Sequence, residues 1–347
     1  MKFVFLVINY MPHQLVSIRS VLKIPGTEIH AFNFKDPHTI PQGIDQLYTY
    51  ELRNFSRAEL LSKILAINPE GLVVAGWAVK DYVWVAKEIR SRLKIPVVSY
   101  SDTQWRGTWR QRINCMLSPW HVKKAFSHLW VAGLYQYEYA RKLGFAKSQI
   151  VYNSLSCDVR LFRQVSVEQK QTNYPKNFLF IGRFVPVKGL DLLLEAWQQI
   201  SNKNGWTLTL VGDGVLKKQF TDCQGVIVKH FMSQKELIKE MEKAGCFVLP
   251  SVFEPWALVI HEAAAAGLPI IATDVCGAVP HFVVSGYNGF QVQPKVGSIK
   301  HALEQVIQMD TEQLVQFGRN SEKLAESISP ERGAAQLFSV LQNESAS

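Results

Sequence analysis

Short apolar runs alternate along the chain with longer segments in which apolar residues recur every three or four positions. In the first half the apolar runs are 2–8, 28–34, 71–76, 95–100, 128–133 and 149–153, and the helical segments are 56–67, 81–93 and 134–144. In the second half the runs are 177–182, 206–212, 226–230 and 246–250, and the helical segments are 188–200 and 235–245. This alternation predicts two α/β domains, each built on a doubly wound parallel sheet.

A polar stretch separates the two halves, and it shows neither the apolar runs of strands nor the spacing of apolar residues typical of helices. It covers residues 156–176, and we predict that it links a domain of residues 1–155 to a domain of residues 177–327. The helical period continues to the end of the chain, where residues 328–347 form a separate terminal helix.

The stretch 246–277 organises the second half, because it predicts a strand, a helix and a second strand in one continuous run. Pro255 suits the first position of that helix, where its missing N–H costs nothing. Glu254 then lies at the N-cap or just outside it, and Glu262 lies two turns further on. On one helix the two carboxylates would be about 12 Å apart and rotated by about 80°, so they would share a broad face.

The two acids differ in how easily they are explained without a ligand. An acid at a helix N-terminus complements the helix dipole, and this suffices for Glu254. Glu262 lies among apolar residues with no basic neighbour in the helix, and burying an unpaired carboxylate costs several kcal/mol. A ligand rich in hydroxyl groups would supply the missing hydrogen bonds. The pair therefore fits a long ligand with a sugar at one end and a ribose at the other.

A glycine turn follows the predicted strand 177–182. It carries Arg183, and Lys188 with Gly189 opens the next helix. Free N–H groups and two cations at such a turn suit a phosphate group, although solvated charges beside a turn explain the same residues. The turn that contains Gly212 has a similar position after the next strand, where turn geometry alone accounts for its glycines.

Composition narrows the class of protein. The chain has 347 residues and a net charge of +9, and its five cysteines show no C-x-x-C spacing, which favours a reducing compartment without disulfides or zinc. Residues 1–160 contain 21 Lys and Arg against 11 Asp and Glu, and the remainder contains 17 against 18. The excess positive charge therefore belongs to the first half, where it favours an anionic partner. No acidic cluster suggests a metal, so we expect neither a metal nor a cofactor.

Residues 105–130 combine four Trp with five Lys or Arg and contain no acid. Aromatic and basic residues in this combination are typical of a protein surface at a lipid interface. The alternative is an ordinary helix and loop whose Trp side chains lie in the core.

The stretch around Glu254 and Glu262 contains the pattern E-x7-E within SVFEPW and EAAAAGLPIIAT. Residues 177–294 thereby resemble the C-terminal half of family 4 retaining glycosyltransferases. The resemblance implies the GT-B fold, in which two Rossmann-like domains face a cleft and a terminal helix crosses back to the N-terminal domain. It also implies that the C-terminal domain binds a nucleotide-diphosphate sugar and the N-terminal domain binds the acceptor.

The resemblance also implies roles for individual residues. Arg183 and Lys188 would bind the diphosphate, Glu254 the hydroxyls of the transferred sugar, and Glu262 the ribose. Further contacts to the donor would come from six residues, namely Gly182, Gly212, His230, Trp256, Ala257 and Leu258.

Several positions depart from the family pattern. His281 stands where relatives have an acid, and residues 9–15 lack the Gly-Gly pair that often follows the first strand. Ser101 and Asp102 occupy the place where many relatives have a histidine. Asp102 is the candidate for orienting the acceptor or the sugar, and a helix N-cap role for Asp102 or Ser101 is the alternative.

We therefore expect a retaining glycosyltransferase that acts on a lipid-linked or cell-surface glycan precursor, in the cytoplasm or at the inner face of the cell membrane. A UDP-sugar is the favoured donor. The alternatives are an epimerase or hydrolase of the same fold and a transferase with a soluble acceptor. A dinucleotide oxidoreductase is disfavoured because G-x-G-x-x-G is missing, and nucleic-acid binding is suggested by charge alone.

Overall fold

The computed structural model describes residues 1–34, 41–220 and 223–343, with the side chain of the last residue excluded. Residues 344–347 of the predicted terminal helix lie outside the described residues. The chain forms two compact units, one of residues 1–156 with 329–347 and one of residues 157–328.

Each unit contains one sheet. The strands are β1 Lys2–Val7, β2 Glu28–Asn33, β3 Leu47–Glu51, β4 Gly71–Ala75, β5 Val97–Ser101, β6 His128–Val131, β7 Ile150–Val151, β8 Asn177–Ile181, β9 Thr207–Val211, β10 Val226–Lys229, β11 Cys246–Leu249, β12 Ile270–Thr273 and β13 Gly289–Val292.

Helices follow most of the strands. The α-helices are α1 Pro12–Leu22, α2 Arg57–Ile67, α3 Lys80–Leu93, α4 Trp109–Leu117, α5 Val122–Ala125, α6 Leu134–Lys142, α7 Val159–Phe162, α8 Leu190–Gln198, α9 Gln234–Glu242, α10 Leu258–Ala265, α11 Val279–Phe282, α12 Val296–Gln308, α13 Thr311–Ala325 and α14 Pro330–Asn343. Short 3-10 helices cover Leu52–Asn54, Ser118–Trp120, Lys147–Gln149, Glu168–Gln171, Pro186–Lys188 and Lys217–Gln219.

Both sheets are parallel, and in both the direction of winding reverses at one point within the sheet. The first has the order β3-β2-β1-β4-β5-β6-β7 and the second the order β10-β9-β8-β11-β12-β13. In the first sheet the direction of winding reverses between β1 and β4, and in the second it reverses between β8 and β11. The prediction of two doubly wound parallel α/β units is confirmed. Ligands of such sheets bind beside the carboxyl ends of the strands at this reversal point.

The first sheet is covered on both faces because successive side chains of a strand point in opposite directions. On one face Val4 and Leu6 of β1 pack with buried residues of α2, α3 and α6. On the other face Phe3 and Phe5 pack with α1 and with α14, which contributes Leu337. The terminal helix therefore forms part of the core of the first unit.

The segment predicted as a linker, residues 156–176, is not an open connection. From Cys157 onward it belongs to the second unit, where Phe162 and Val165 are buried. Lys170 is buried as well, and its Nζ donates to the carbonyls of Met241, in the last turn of α9, and Ala244, just beyond it, at 3.0 and 2.9 Å. Its few apolar residues are irregularly spaced, so neither a helical nor a strand period reveals that they are buried.

Candidate functional site

The carboxyl ends of β8 and β11 bring the predicted diphosphate-binding and sugar-binding residues together. Lys188 follows β8 and Glu254 follows β11, and these two strands flank the reversal point of the second sheet. The Nζ of Lys188 donates to Oε2 of Glu254, and the two side chains are 12% and 17% exposed. Arg183 lies on the same turn as Lys188 and its side chain is exposed. Two cations and one carboxylate thus share this edge of the sheet.

Glycine makes the close approach of these loops possible. Gly189 has φ +63°, and a Cβ added there would lie 2.1 Å from the carbonyl oxygen of Pro250, next to β11. Gly212 has φ +148°, and a Cβ there would lie 1.9 Å from the carbonyl oxygen of Gly182. Any other residue at either position would push the loops apart, so the glycines bring the loop that carries Lys188 close to the end of β11.

The structure corrects the predicted start of the E-x7-E helix. Helix α10 begins at Leu258, and Glu254 lies in the preceding loop instead of at an N-cap. The backbone of that loop is hydrogen-bonded to the loop after β12. The N–H groups of Gly277 and Ala278 donate to the carbonyls of Glu254 and Trp256 at 3.1 and 2.7 Å. The helical spacing of about 12 Å and 80° between the two acids therefore does not apply.

Ala257 is the residue at which the loop turns into the helix. It has φ +74° and ψ +68°, a left-handed conformation that costs a residue with a side chain about 1–3 kcal/mol. Trp256 before it is buried, whereas Leu258 after it is half-buried. The strained residue thus lies directly beside the charged edge.

Glu262 is buried on α10, as its apolar surroundings in the sequence indicated. Burial raises the pKa of this carboxyl to about 7, and a hydrogen bond from Gln234 Nε2 to its Oε1, at 3.4 Å, opposes the shift. Gln234 is the first residue of α9 and was not predicted to belong to the site. Its position at a helix start gave no sequence signal, because only the fold brings α9 beside α10.

His281, which stands in place of an acid, packs against Trp256 with ring centroids 5.4 Å apart. Burial lowers the pKa of His281, so the ring is uncharged at neutral pH. The indole Nε1 of Trp256 is buried and has no hydrogen-bond partner among the described residues. An aromatic pair without net charge thus borders the charged edge on one side.

A second group of polar residues lies on the loops after β9 and β10. Lys217 Nζ is 2.9 Å from Asp213 Oδ2 and 3.2 Å from His230 Nδ1. The hydrogen bond from Lys217 lowers the pKa of Asp213. His230 is exposed, and its neighbour Phe231 is 83% exposed. These loops therefore offer an aromatic ring and polar side chains to the solvent.

His261 next to Glu262 has a structural role. Its Nδ1 accepts from the backbone N–H of Cys157 at 3.2 Å, and its Nε2 donates to the carbonyl of Ala325 at 3.0 Å. Burial lowers its pKa to about 4, so the neutral ring holds one fixed tautomer. The helix that carries Glu262 is thereby fixed to both ends of the second unit.

In the first unit, a cavity of about 310 Å³ lies at the carboxyl ends of β1, β4 and β5. It is therefore located at the reversal point of the first sheet. Its lining consists of Ile8, His13, Gln14, Ala75, Gly76, Trp77, Ala78, Tyr100, Ser101, Asp102, Thr103 and Leu155.

Polar groups of the cavity are mostly uncharged. Burial lowers the pKa of His13 to about 4, and burial raises the pKa of Tyr100. Gln14 Nε2 donates to the Tyr100 hydroxyl at 3.1 Å. Asp102 lies on the rim with its backbone carbonyl accepting from Gln136 Nε2 at 3.1 Å. His13 and Gln14 were not predicted, because the sequence offered no motif after β1.

The alternative role considered for Asp102 and Ser101 belongs to another residue. The N-cap of the next helix, α4, is Thr108, whose hydroxyl accepts from the N–H of Gln111 at 3.3 Å. Ser101 instead accepts from the N–H of Thr103 at 3.1 Å and fixes the turn beside the cavity.

The Trp and Arg stretch 105–130 divides into a core part and a surface part. Trp130 is buried in β6 and its Nε1 donates to the carbonyl of Tyr152 at 2.8 Å. Trp105 is half-buried, with its ring 5.8 Å from that of Tyr139. Trp109 and Trp120 are 67% and 69% exposed. The prediction of a four-Trp surface is thus wrong for Trp130, which belongs to the core.

No group of three or more His, Cys, Asp and Glu side chains within residues 1–34, 41–220 and 223–343 is placed to hold a metal ion. No helix of these residues has the length and the apolar composition needed to cross a bilayer.

The second unit is similar to proteins of a known family. Residues 163–324 match the family model of glycosyl transferases group 1. An uncharacterised glycosyltransferase of Methanocaldococcus jannaschii is 32% identical over 155 residues, which are 42% of this chain and 42% of that protein. An uncharacterised 41.2 kDa protein in the cps region of Klebsiella pneumoniae is 30% identical over 164 residues, 46% of this chain and 45% of its own length. The chain thus matches less than half the length of these relatives.

The likeness to solved structures extends over the whole chain. A crystal structure of HepE from Anabaena in complex with UDP has a TM-score of 0.77 at 18% identity, covering 98% of this chain and 99% of that one. At this identity the likeness shows the fold. The predicted GT-B fold class is confirmed.

Proposed function

We propose that this chain, whose residues 163–324 belong to the glycosyl transferases group 1 family, transfers a sugar from a nucleotide-diphosphate sugar to a hydroxyl acceptor. The observation that carries the proposal is the pairing of Lys188 with Glu254 at the reversal point of the second sheet. A donor of this kind needs a cation for its diphosphate and an acceptor of hydrogen bonds for its sugar hydroxyls, and the pair provides both groups side by side.

The other residues of this edge extend the donor site. Arg183 adds a second cation on the same turn, where a departing diphosphate gathers negative charge. Glu262, buried one turn into α10, would accept hydrogen bonds from a ribose. A UDP-sugar is our choice of donor, and the likeness to HepE, whose crystal structure contains UDP, supports it.

The proposed reaction retains the configuration of the anomeric carbon. The bond from this carbon to the phosphate oxygen breaks, and the acceptor oxygen forms its new bond on the same face. The acceptor proton passes to the leaving phosphate oxygen, so no nucleophile of the enzyme is required. Lys188 and Arg183 stabilise the charge on the diphosphate, and no metal or cofactor takes part.

The acceptor would bind at the cavity of the first unit. Neutral His13, Gln14 and Tyr100 offer hydrogen bonds without a full charge, which suits an uncharged sugar. Asp102 on the rim would orient the attacking hydroxyl. We propose a lipid-linked or cell-surface glycan precursor at the cytoplasmic face of a membrane, and the relative from a cps region supports this class of product.

A screen of donors followed by product analysis tests the proposal. UDP-, GDP- and ADP-sugars are compared by thermal shift, and UDP-sugars are expected to stabilise the protein most. The anomeric configuration of the first product is then determined by NMR and is expected to match that of the donor. An inverted product would contradict the mechanism. Release of nucleotide without any acceptor would instead indicate the epimerase or hydrolase alternative.

A further inference from the structure

Helix α4 turns its apolar residues toward the solvent. None of the nine residues from Trp109 to Leu117 is buried. Its large apolar side chains and that of Trp120 in the following 3-10 helix are exposed to the following extents: Trp109 67%, Ile113 43%, Met116 65%, Leu117 46% and Trp120 69%. A surface helix normally places its apolar stripe against the core, so this helix has the opposite orientation.

The exposed apolar residues form one continuous stripe. At about 100° per residue, Trp109, Ile113, Met116 and Leu117 fall within an arc of about 100°. Arg110 and Arg112 border the arc on its two sides, each about 20–40° beyond the outermost apolar residue. An apolar stripe with a cation along each edge is the pattern of a helix that lies in the plane of a membrane interface.

Polar contacts hold α4 to the rest of the first unit. Gln111 Nε2 donates to the carbonyl of Gln104 at 2.8 Å, and Asn114 Nδ2 donates to the hydroxyl of Tyr139 at 2.9 Å. Beyond the helix, the hydroxyl of Ser118 donates to the carbonyl of Leu143 at 2.7 Å. The helix is therefore anchored through its opposite face, and its apolar stripe is not needed for packing.

We propose that the apolar stripe of α4, together with Trp120, inserts into the headgroup region of an anionic membrane. The positive charge around the stripe indicates that its partner is an anionic membrane. The sequence contains no acid between Asp102 and Glu138, and Arg110, Arg112 and Lys124 form no ion pair with any residue that the structure describes. Trp109 and Trp120 are of the residue type that favours the boundary between headgroups and acyl chains.

The inference deepens the proposed function and rests on it for the identity of the acceptor. The loop 102–108 runs directly from Asp102 on the cavity rim to the first residue of α4. Gln111 ties this loop to the helix, since its Oε1 accepts from the N–H of Arg106 at 2.8 Å. A membrane contact at α4 would thus hold the cavity close to the lipid surface, where the hydroxyl of a lipid-linked acceptor is found.

Vesicle flotation tests the proposal with the whole chain of residues 1–347. The vesicles contain phosphatidylglycerol and phosphatidylcholine in equal parts, and vesicles of phosphatidylcholine alone serve as the neutral comparison. Wild type should float with the anionic vesicles at low salt. It should bind more weakly, but still measurably, at about 0.15 M salt, because apolar insertion is not screened.

Two sets of variants separate the apolar contribution from the electrostatic one. Trp109→Ser, Ile113→Ser, Met116→Ser and Trp120→Ser combined should reduce binding at least about tenfold at both salt concentrations. Arg110→Gln, Arg112→Gln and Lys124→Gln combined should reduce it about one hundred-fold at low salt and much less at high salt. All these side chains are exposed, so the melting temperature should not change.

Matched controls come from the second unit. Ile227→Ser with Val284→Ser removes apolar side chains that are each 46% exposed, and Lys235→Gln with Lys239→Gln and Lys243→Gln removes three exposed cations. Both control variants should bind vesicles like wild type.

Two results would overturn the proposal. One is that wild type does not bind anionic vesicles at low salt. In that case, self-association that the serine substitutions abolish would show that a second copy of the chain covers the stripe. The other is a serine variant that binds vesicles like wild type. Donor affinity is measured in parallel by calorimetry. Vesicle binding without any donor binding would contradict the proposed function and leave the membrane contact intact.

Discussion

The carboxyl edge of the second sheet holds Lys188, Glu254 and exposed Arg183, whereas the same edge of the first sheet borders a cavity lined mainly by neutral groups. Both edges lie at the point where the winding of a parallel sheet reverses. One architecture therefore presents a charged edge in one unit and a largely uncharged edge in the other. The difference fits a reaction in which one substrate is a diphosphate and the other is a hydroxyl compound.

The charged edge predicts the largest effect. Lys188→Ala should lower turnover about 10²–10³-fold, because the departing diphosphate loses a positioned cation. Arg183→Ala should also lower turnover sharply for the same reason. Initial rates at saturating donor measure both effects.

Lys243→Ala is the matched control, since this exposed lysine lies in the same unit, before the amino end of β11. It should retain full turnover. Near-native rates for both Lys188→Ala and Arg183→Ala, in folded protein, would contradict the assignment of the diphosphate site.

Substitution of Glu262 should have a smaller effect than that of Lys188, and the effect should be on donor binding. Glu262→Gln should weaken binding of the nucleotide-sugar about 10–100-fold, because a charged acceptor of hydrogen bonds becomes a neutral amide. Calorimetry measures the affinity, and Glu242→Gln, at an exposed position of α9, is the control. An unchanged affinity would exclude Glu262 from the ribose contact.

The same substitution should stabilise the protein in the absence of donor. Burial raises the pKa of Glu262 from its ordinary 4.5 to about 7, so folding favours the neutral acid. This contribution to stability is complete below pH 4.5 and is lost as the pH rises through about 7. Glu262→Gln should therefore melt above wild type at about pH 8 and close to it at about pH 4. Equal melting temperatures at both pH values would contradict the burial of an ionisable carboxyl.

The first unit predicts an effect on the other substrate. Asp102→Asn should raise KM for the acceptor about tenfold, since a hydrogen bond to a charged group is lost, while donor affinity stays unchanged. Asp81→Asn, an exposed substitution in the first turn of α3, is the control. A change in donor affinity with an unaltered KM for the acceptor would reverse the proposed division of labour between the two edges.

The smallest expected effect is that of chelation. Turnover should be unchanged in excess EDTA, because Lys188 and Arg183 are expected to balance the charge of the diphosphate without a metal. Initial rates with and without the chelator measure this. Complete loss of activity that magnesium or manganese restores would show that a metal shares the charged edge.

Local patterns predicted the sheets and the burial of Glu262, because each strand and helix carries its own period. The position of Glu254 was not predictable in this way. Its loop is fixed by hydrogen bonds from Gly277 and Ala278, more than twenty residues away, and no local pattern reports such a pairing. The same holds for Gln234, which meets Glu262 only after two helices have packed.

Edge strands and surface side chains were equally difficult to predict from the sequence. Strand β3 was not predicted, because it lies at the edge of the sheet beside β2 and its Tyr, Thr and Glu residues are half-buried or exposed. In the Trp and Arg stretch, Trp109 faces solvent, whereas Trp130, which also belongs to the apolar run 128–133, lies in the core. Composition identifies a kind of surface, while the direction of each side chain depends on the packing of its element.

The division of the chain has a consequence for biosynthesis. The first unit is completed only by α14, which supplies Leu337 to its core, so the second unit is an insertion between two parts of the first. During translation, residues 157–328 leave the ribosome before the helix that closes the first unit. The ring of His261 fastens the start of the insertion, at Cys157, near its end, at Ala325. The inserted unit can therefore fold before α14 reaches the first unit, whose core is incomplete until then.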